Sequence, residues 1–204
     1  MANLFSDLVK EAVKQGIIPA KTEESRTWFR EKAQDIDVKN QTRLITTQPI
    51  LTTKTFPGFL YMYSYKAKTR ESLPYHDRYP VVFPFRQTKE GFYGLNMHYL
   101  PLDYRAILMD NLYMLAADKR YDERTRLRLK YQFLDKSSKY RFFRPCVKQY
   151  LNSHVRTRFA LIPANQWDIA LFIPQERFVG PAGGFIQSQK VHRDSVKQIR
   201  RGKK

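Results

Sequence analysis

The chain contains only one cysteine, Cys146, and it has no long apolar run. A single thiol excludes a disulfide framework and a zinc site made of several cysteines, because both need cysteines in sets. No stretch approaches the ~18 apolar residues of a membrane span, and charged residues interrupt the first twenty positions, where a signal peptide would be apolar. We therefore expect a soluble, unprocessed protein of a reducing compartment that makes no membrane contact.

Complete catalytic and metal-binding motifs are also lacking. The four histidines lie more than twenty residues apart, without the neighbouring ligands that a metal site needs. Adjacent residues of an extended segment point to opposite faces, so Asp77 is expected to cap a turn or pair with Arg78 rather than share a proton with His76. Cys146 has no marked base and is interpreted as a small buried residue. The glycine-rich stretch 180–184 lacks the P-loop and dinucleotide-binding patterns and is interpreted as a linker. We predict a protein that is not an enzyme and that uses no cofactor and no metal.

Acidic residues are scarce relative to basic ones. The 37 Lys and Arg against 19 Asp and Glu give a net charge of +18, and sixteen of these charges fall in the segments 119–158 and 190–204. A segregated excess of this kind raises the potential over one patch and attracts an extended polyanion. The second segment also contains Lys190, Lys203 and Lys204. The predicted DNA-binding residues are Arg120, Arg124, Arg126, Arg128, Lys130, Lys139, Arg141, Arg144, Lys148, Arg193, Lys197, Arg200 and Arg201.

Helical periodicity is present near the N-terminus. Apolar residues at spacings of three and four predict a helix over 6–15, capped by Ser6, and a second helix over 23–34, capped by Thr22. The Thr-rich stretch 37–56 lacks this pattern and is predicted to be an extended arm or linker.

In the central region, aromatic side chains recur at every second position. Period-two patterns predict strands over 59–65, 81–85, 91–99 and 158–162, and a helix follows Pro101 to about residue 117. The tyrosines of the first strand are interpreted as core or interface rather than as base-stacking residues. The predicted fold class is α+β, with a small aromatic β-sheet or SH3-like partial barrel, flanking helices and a basic C-terminal tail. The predicted divisions are 1–36 (N-terminal helices), 37–56 (arm), 57–179 (α+β core with a basic ridge at 119–158) and 180–204 (Gly-containing linker and basic tail).

The basic ridge allows two backbone geometries. Residues 119–151 are predicted to be mainly helical, which would place Arg120, Arg124 and Arg128 on one face. Strict alternation over 126–131 also fits a strand, which would place Arg124, Arg126, Arg128 and Lys130 on one face. Either geometry creates a line of cations.

Four segments resemble a known family. The segments are Leu73–Pro80 (LPYHDRYP), Gly91–Leu100 (GFYGLNMHYL), Trp167–Phe178 and Arg26–Ala33. They are similar to segments of the DNA end protector family, a family of virion structural proteins from T-even-type tailed phages. The resemblance covers about residues 25–200. It implies a protein of the virion, and of the host cytoplasm during assembly and infection, that shields the ends of linear genomic DNA from a host exonuclease. The implied partners are double-stranded DNA and other virion proteins.

Two other functions fit the same composition. A structural adaptor of the neck, tail or baseplate would touch DNA only incidentally, and an extended arm at 37–56 would suit it. A nuclease would need clustered carboxylates, which are few in the basic segments. No base-reading motif is present, so little sequence preference is expected. No feature of the sequence indicates how the protein would distinguish a DNA terminus from the interior of a duplex. Trp28 and Phe143 are only weak candidates for capping the last base pair.

Overall fold

The computed structural model describes residues 3–19, 22–118 and 120–201, which form an α+β fold. The α-helices are α1 Leu4–Lys14, α2 Glu23–Gln34, α3 Gln41–Thr46, α4 Leu102–Ala117, α5 Glu123–Lys139, α6 Trp167–Phe172 and α7 Ser188–Arg201. The strands are β1 Leu51–Thr52, β2 Leu60–Met62, β3 His76–Asp77, β4 Val81–Gln87, β5 Gly91–Asn96, β6 Val147–Leu151, β7 Phe159–Ile162, β8 Phe178–Val179 and β9 Phe185–Ile186. Among the described residues, no helix combines the length and the apolar character needed to cross a bilayer.

Two open antiparallel sheets organise the molecule. The larger has the strand order β1-β7-β2-β4-β5-β6, and the smaller has the order β3-β8-β9. Gly91 lies so close to β6 that a Cβ atom there would clash with the carbonyl oxygen of Tyr150, which explains a glycine within a strand. The predicted α+β class is confirmed, whereas the SH3-like partial barrel is not.

The larger sheet buries side chains on both faces. Leu60 and Met62 of β2 join the core that packs under the helices, while Tyr61 and Tyr63 join a separate aromatic cluster. Successive side chains of a strand point to opposite faces, so the alternation seen in the sequence separates the two cores. The ring centroid of Tyr63 lies 5.0 Å from that of Phe159 in an edge-to-face arrangement. The interpretation of these tyrosines as core is confirmed.

The N-terminal region agrees with the sequence in one helix and departs from it in two places. Helix α2 has the predicted bounds and the predicted Thr22 cap. Helix α1 begins two residues early because the side chain of Asn3, not Ser6, accepts the N–H groups at its start. The segment 37–56, expected to be extended, contains α3, whose Leu44 is buried in the main core. The extended arm is therefore wrong, because these apolar residues find a core to pack into.

The basic ridge is helical only in its first half. Asp122 caps α5 by accepting the Thr125 N–H at 2.7 Å, so the helical alternative is confirmed and the strand alternative is wrong. The predicted helix to residue 151 ends at Lys139, since a 3₁₀ segment, Arg141–Cys146, and then β6 follow. In β6 the chain returns to the edge of the larger sheet beside β5.

The C-terminal region is ordered, contrary to the prediction of a linker and a tail. Residues 180–184 form the loop of the β8–β9 hairpin, closed by a hydrogen bond from the Gly180 N–H to the Gly184 oxygen at 2.9 Å. Most of the expected tail belongs to α7, whose Val191 and Ile199 are buried. Lys203 and Lys204 lie outside the described residues.

Candidate nucleic-acid interface

The outer face of α7 carries a line of exposed cations. At 3.6 residues per turn, these basic residues fall within a sector of about 100° on the helix surface. The opposite sector holds Val191, Ser195 and Ile199, which are buried. In the part of the chain that the structure describes, the cations of the outer face have no ion pair. We call them the α7 stripe: Lys190, Arg193, Lys197, Arg200 and Arg201.

A buried charged group anchors α7 to the core. Arg105 of α4 is fully buried and donates hydrogen bonds of 2.8 Å to the main-chain oxygens of Leu100 and Leu171. The same guanidinium pairs with the Glu176 carboxylate and lies 3.2 Å from Nε2 of His192, a residue of α7. Burial alone would raise the pKa of the Glu176 carboxyl, but the charge and hydrogen bond of Arg105, together with the nearby His98 and His192, outweigh burial and lower this pKa to about 2. The network holds the stripe in a fixed orientation.

The 3₁₀ segment after α5 extends the basic surface of α7. Helix α7 packs against Arg141–Cys146, where Arg144 is exposed. The guanidinium of Arg141 lies 5.1 Å from the ring centroid of Phe142, an arrangement that leaves its hydrogen-bond donors free for an acceptor. The structure therefore brings together predicted residues from two segments that lie about fifty positions apart.

The arginines near the start of α5 form a separate group. Arg124 and Arg128 are exposed one turn apart, and Arg126 is half-buried. Helix α5 has 17 residues, so its two ends lie about 24 Å apart. Near the far end, Lys139 pairs with Asp135 at 2.7 Å. The cations of the predicted basic ridge that lie on α5 are therefore separated into two groups, one near each end of the helix.

Besides Lys139, three predicted residues are engaged within the protein. Arg120 precedes α5, so it does not share the helical face predicted for it, and it pairs with Asp118 at 2.6 Å. The Lys130 ammonium lies 5.7 Å from the ring centroid of Trp167. The ammonium of Lys148 lies 3.9 Å from the ring centroid of Tyr99. Burial lowers the pKa of both lysines.

The residues considered for chemistry have structural surroundings. Cys146 is buried, its Sγ lies 2.9 Å from the Phe143 oxygen, and burial raises its pKa to about 12. Asp77 accepts the Tyr79 N–H at 3.0 Å, as expected for a turn cap. Its other oxygen lies 2.7 Å from Nδ1 of His98, a partner that sequence spacing does not reveal. Within the described ranges, no three His, Cys, Asp or Glu side chains are grouped closely enough to hold a metal ion.

Sequence reasoning missed a basic cleft beside the β8–β9 loop. The cleft has a volume of about 640 Å³ and is lined by Lys66, Arg70, Arg78 and Arg156. The Arg70 Nε lies 3.9 Å from a Glu71 oxygen, and the other three cations have no ion pair among the described residues. Three of the four come from the nearly neutral region 57–118, so no local excess of charge could have indicated them.

Comparison with known proteins gives one result. A family model described as "Phage T4 terminal DNA protecting protein" matches residues 1–195. No curated protein sequence and no solved structure matches the chain.

Proposed function

This chain belongs to the family of the phage T4 terminal DNA protecting protein, and we propose that it shields the ends of linear double-stranded DNA by binding their phosphates, without catalysing a reaction. The α7 stripe is the observation that carries this proposal. Its five cations are exposed on an ordered helix whose other face is packed into the core. Cations without internal partners can neutralise phosphates without first giving up an ion pair.

The dimensions of the stripe suit a DNA backbone. From Lys190 to Arg201 the helix rises about 16 Å, which corresponds to about five base pairs at ~3.4 Å each. Arg144 lies on the adjoining 3₁₀ segment and continues the surface. Contacts of this kind go to phosphate oxygens and carry no base information, so the protein binds ends of differing sequence with similar affinity.

Other virion proteins are the second class of partner in this proposal. The adaptor alternative was favoured by an extended arm, and that segment instead forms α3 and contributes Leu44 to the core. The nuclease alternative requires clustered carboxylates that hold divalent cations, and the residues that the structure describes contain no group of three His, Cys, Asp or Glu side chains that could hold a metal ion. DNA end protection is therefore the function that this surface supports best.

A binding series with two topologies tests the proposal. The full-length protein is titrated against one DNA, either linear with blunt ends or as a relaxed closed circle, at about 50 and 200 mM salt and with or without magnesium. We expect tighter binding to the linear form, survival of that DNA when an exonuclease is added, and no loss of DNA when the protein is incubated with it alone. Equal, weak binding to both forms would favour the adaptor, and magnesium-dependent degradation would favour the nuclease.

A further inference from the structure

A groove separates the loop between β1 and β2 from the first turns of α5. Its volume is about 860 Å³, and rings and arginines line it together. The loop contributes Phe56 and Phe59, and the helix contributes Arg124, Arg128 and Tyr131. Two of the predicted DNA-binding arginines therefore lie beside aromatic residues far from them in sequence.

The loop wall of this groove is fixed in the free protein. The Phe56 N–H donates to the hydroxyl of Tyr61 at 3.2 Å, and the Gly58 N–H donates to the Pro84 oxygen at 3.3 Å. Gly58 has a φ of +85°, and a Cβ atom there would lie 3.0 Å from a side-chain carbon of Leu127 in α5. Only glycine combines this conformation with this close approach. The two walls therefore keep their spacing without a ligand.

The groove exposes aromatic surface beside unpaired positive charge. Phe56 is 58% exposed and Tyr131 is 38% exposed. Arg124 and Arg128 have no ion pair in the described ranges. The acidic side chain of the lining, Asp122, already serves as the N-cap of α5. Flat apolar faces flanked by cations are complementary to a nucleotide, which has a flat base and an anionic phosphate.

We propose that this groove binds the terminal nucleotide of a DNA strand, with its base stacked on Phe56 and Tyr131 and its phosphates held by Arg124 and Arg128. The inference rests on the proposed function and adds the means by which an end is recognised. Inside a duplex both faces of every base pair are covered by neighbours, whereas at a terminus one face is free. A ring can stack on that face without first unstacking the helix, so the aromatic groove discriminates and the α7 stripe does not.

The groove is a better site for this role than the aromatics suggested by the sequence. Trp28 and Phe143 are only partly buried, but both pack against the main core. Phe56 projects from a loop whose backbone is held on both sides, and its own ring is free. The signal in the sequence was weak, because Phe56 lies in a segment interpreted as an arm.

Paired variants and two DNA topologies test this inference with the full-length protein. In the double variant Phe56→Ala/Tyr131→Ala, affinity for linear blunt DNA is expected to fall about 5- to 150-fold, the range for losing the stacking of one base, while affinity for the relaxed circle stays constant. The matched control is Phe185→Ala, which removes a ring that is 72% exposed outside the groove. We expect this control to keep the preference for linear DNA.

The outcomes separate failure of the inference from failure of the proposed function. Equal affinity of the unaltered protein for linear and circular DNA would overturn both. A clear preference for linear DNA that survives in the folded double variant would contradict binding of the terminal nucleotide in the groove but not the proposed function. The groove would then bind another ligand, such as a peptide of a virion protein.

A spectroscopic measurement on the unaltered protein does not depend on any variant folding. A duplex carries 2-aminopurine, a fluorescent adenine analogue that is quenched by stacking, at its terminal position or at its centre. Binding should change the fluorescence of the terminal label and leave that of the central label unchanged. Identical responses from both positions under saturating protein would contradict terminal stacking.

Discussion

The α7 stripe leads to a quantitative prediction for the effect of salt. The perturbation replaces three of its five cations with glutamine: Arg193→Gln, Lys197→Gln and Arg201→Gln. These side chains are exposed and lie opposite the buried Val191 and Ile199. The helix therefore keeps its packing while its outward charge falls, and changes in binding report on the surface rather than on the fold.

The expected size of the effect follows from the number of contacts. Each phosphate contact contributes about 0.9 to the slope of log Kobs against log salt, which equals about 3.5-fold in affinity between ~50 and ~200 mM salt. Five contacts from the stripe would contribute roughly a 500-fold change over this range, and the two that remain would contribute roughly 12-fold. The slope should therefore become shallower by about 2.7.

Fluorescence anisotropy with a labelled linear duplex at several salt concentrations measures this slope. The matched control removes three exposed cations elsewhere, through Lys14→Gln, Lys32→Gln and Lys39→Gln, so that both variants lose the same net charge. We expect the control to keep the slope of the unaltered protein to within one contact. An unchanged slope in the α7 variant, or an equal loss in both variants, would refute the assignment of phosphate contacts to this helix.

Three further predictions concern stability and the second group of arginines. Replacing Arg105 with Met leaves the Glu176 carboxylate enclosed without its partner and should lower the free energy of unfolding in urea by about 3–5 kcal/mol, whereas Arg120→Gln, in an exposed pair, should leave the midpoint unchanged. Burial and the charge of Arg105 lower the pKa of His192, so the unfolded chain binds this proton more readily and stability is lost as the pH falls below about 6.5. The melting temperature should therefore fall between about pH 7.5 and 5.5 by less in His192→Gln than in the unaltered protein, and parallel curves would contradict this. A variant with three substitutions, Arg124→Ala, Arg126→Ala and Arg128→Ala, should bind duplexes of different base composition with equally reduced affinity in gel shifts. Unchanged affinity in the folded variant would show that the phosphate contacts lie elsewhere on the surface.

The sequence predicted elements well where a local signal determines them. Thr22 and the acidic first turn mark the start of α2, and the alternation of tyrosines over 59–65 marks a strand, of which the structure forms Leu60–Met62. It failed where distant residues decide the outcome. The sequence around α3 is polar and has no regular period, and the helix is stabilised by the burial of Leu44 in the core. Near the C-terminus the many charges hid the helical spacing of Val191 and Ile199, which are buried.

The candidate surface was predictable in part for the same reason. Clustered charge identified Arg193 and Arg144, but only the packing of α7 against the 3₁₀ segment joins them. The cleft around Lys66 and Arg156 takes three of its four cations from the region 57–118, which has little net charge, so a local count of charge could not predict it. Local composition indicates how much charge a chain has, whereas tertiary contacts determine which charges face the same ligand.

The attachment of α7 to Arg105 also determines how the helix can open. Lifting α7 away would expose Val191 and Ile199 to water and leave the guanidinium of Arg105 without His192 as a neighbour. A C-terminal helix held in this way does not fray by itself but belongs to the same cooperative unit as the central sheet. Its amide hydrogens should therefore exchange with deuterium as slowly as those of β4 and β5, so that the cations of the α7 stripe are presented only by molecules whose entire core is intact.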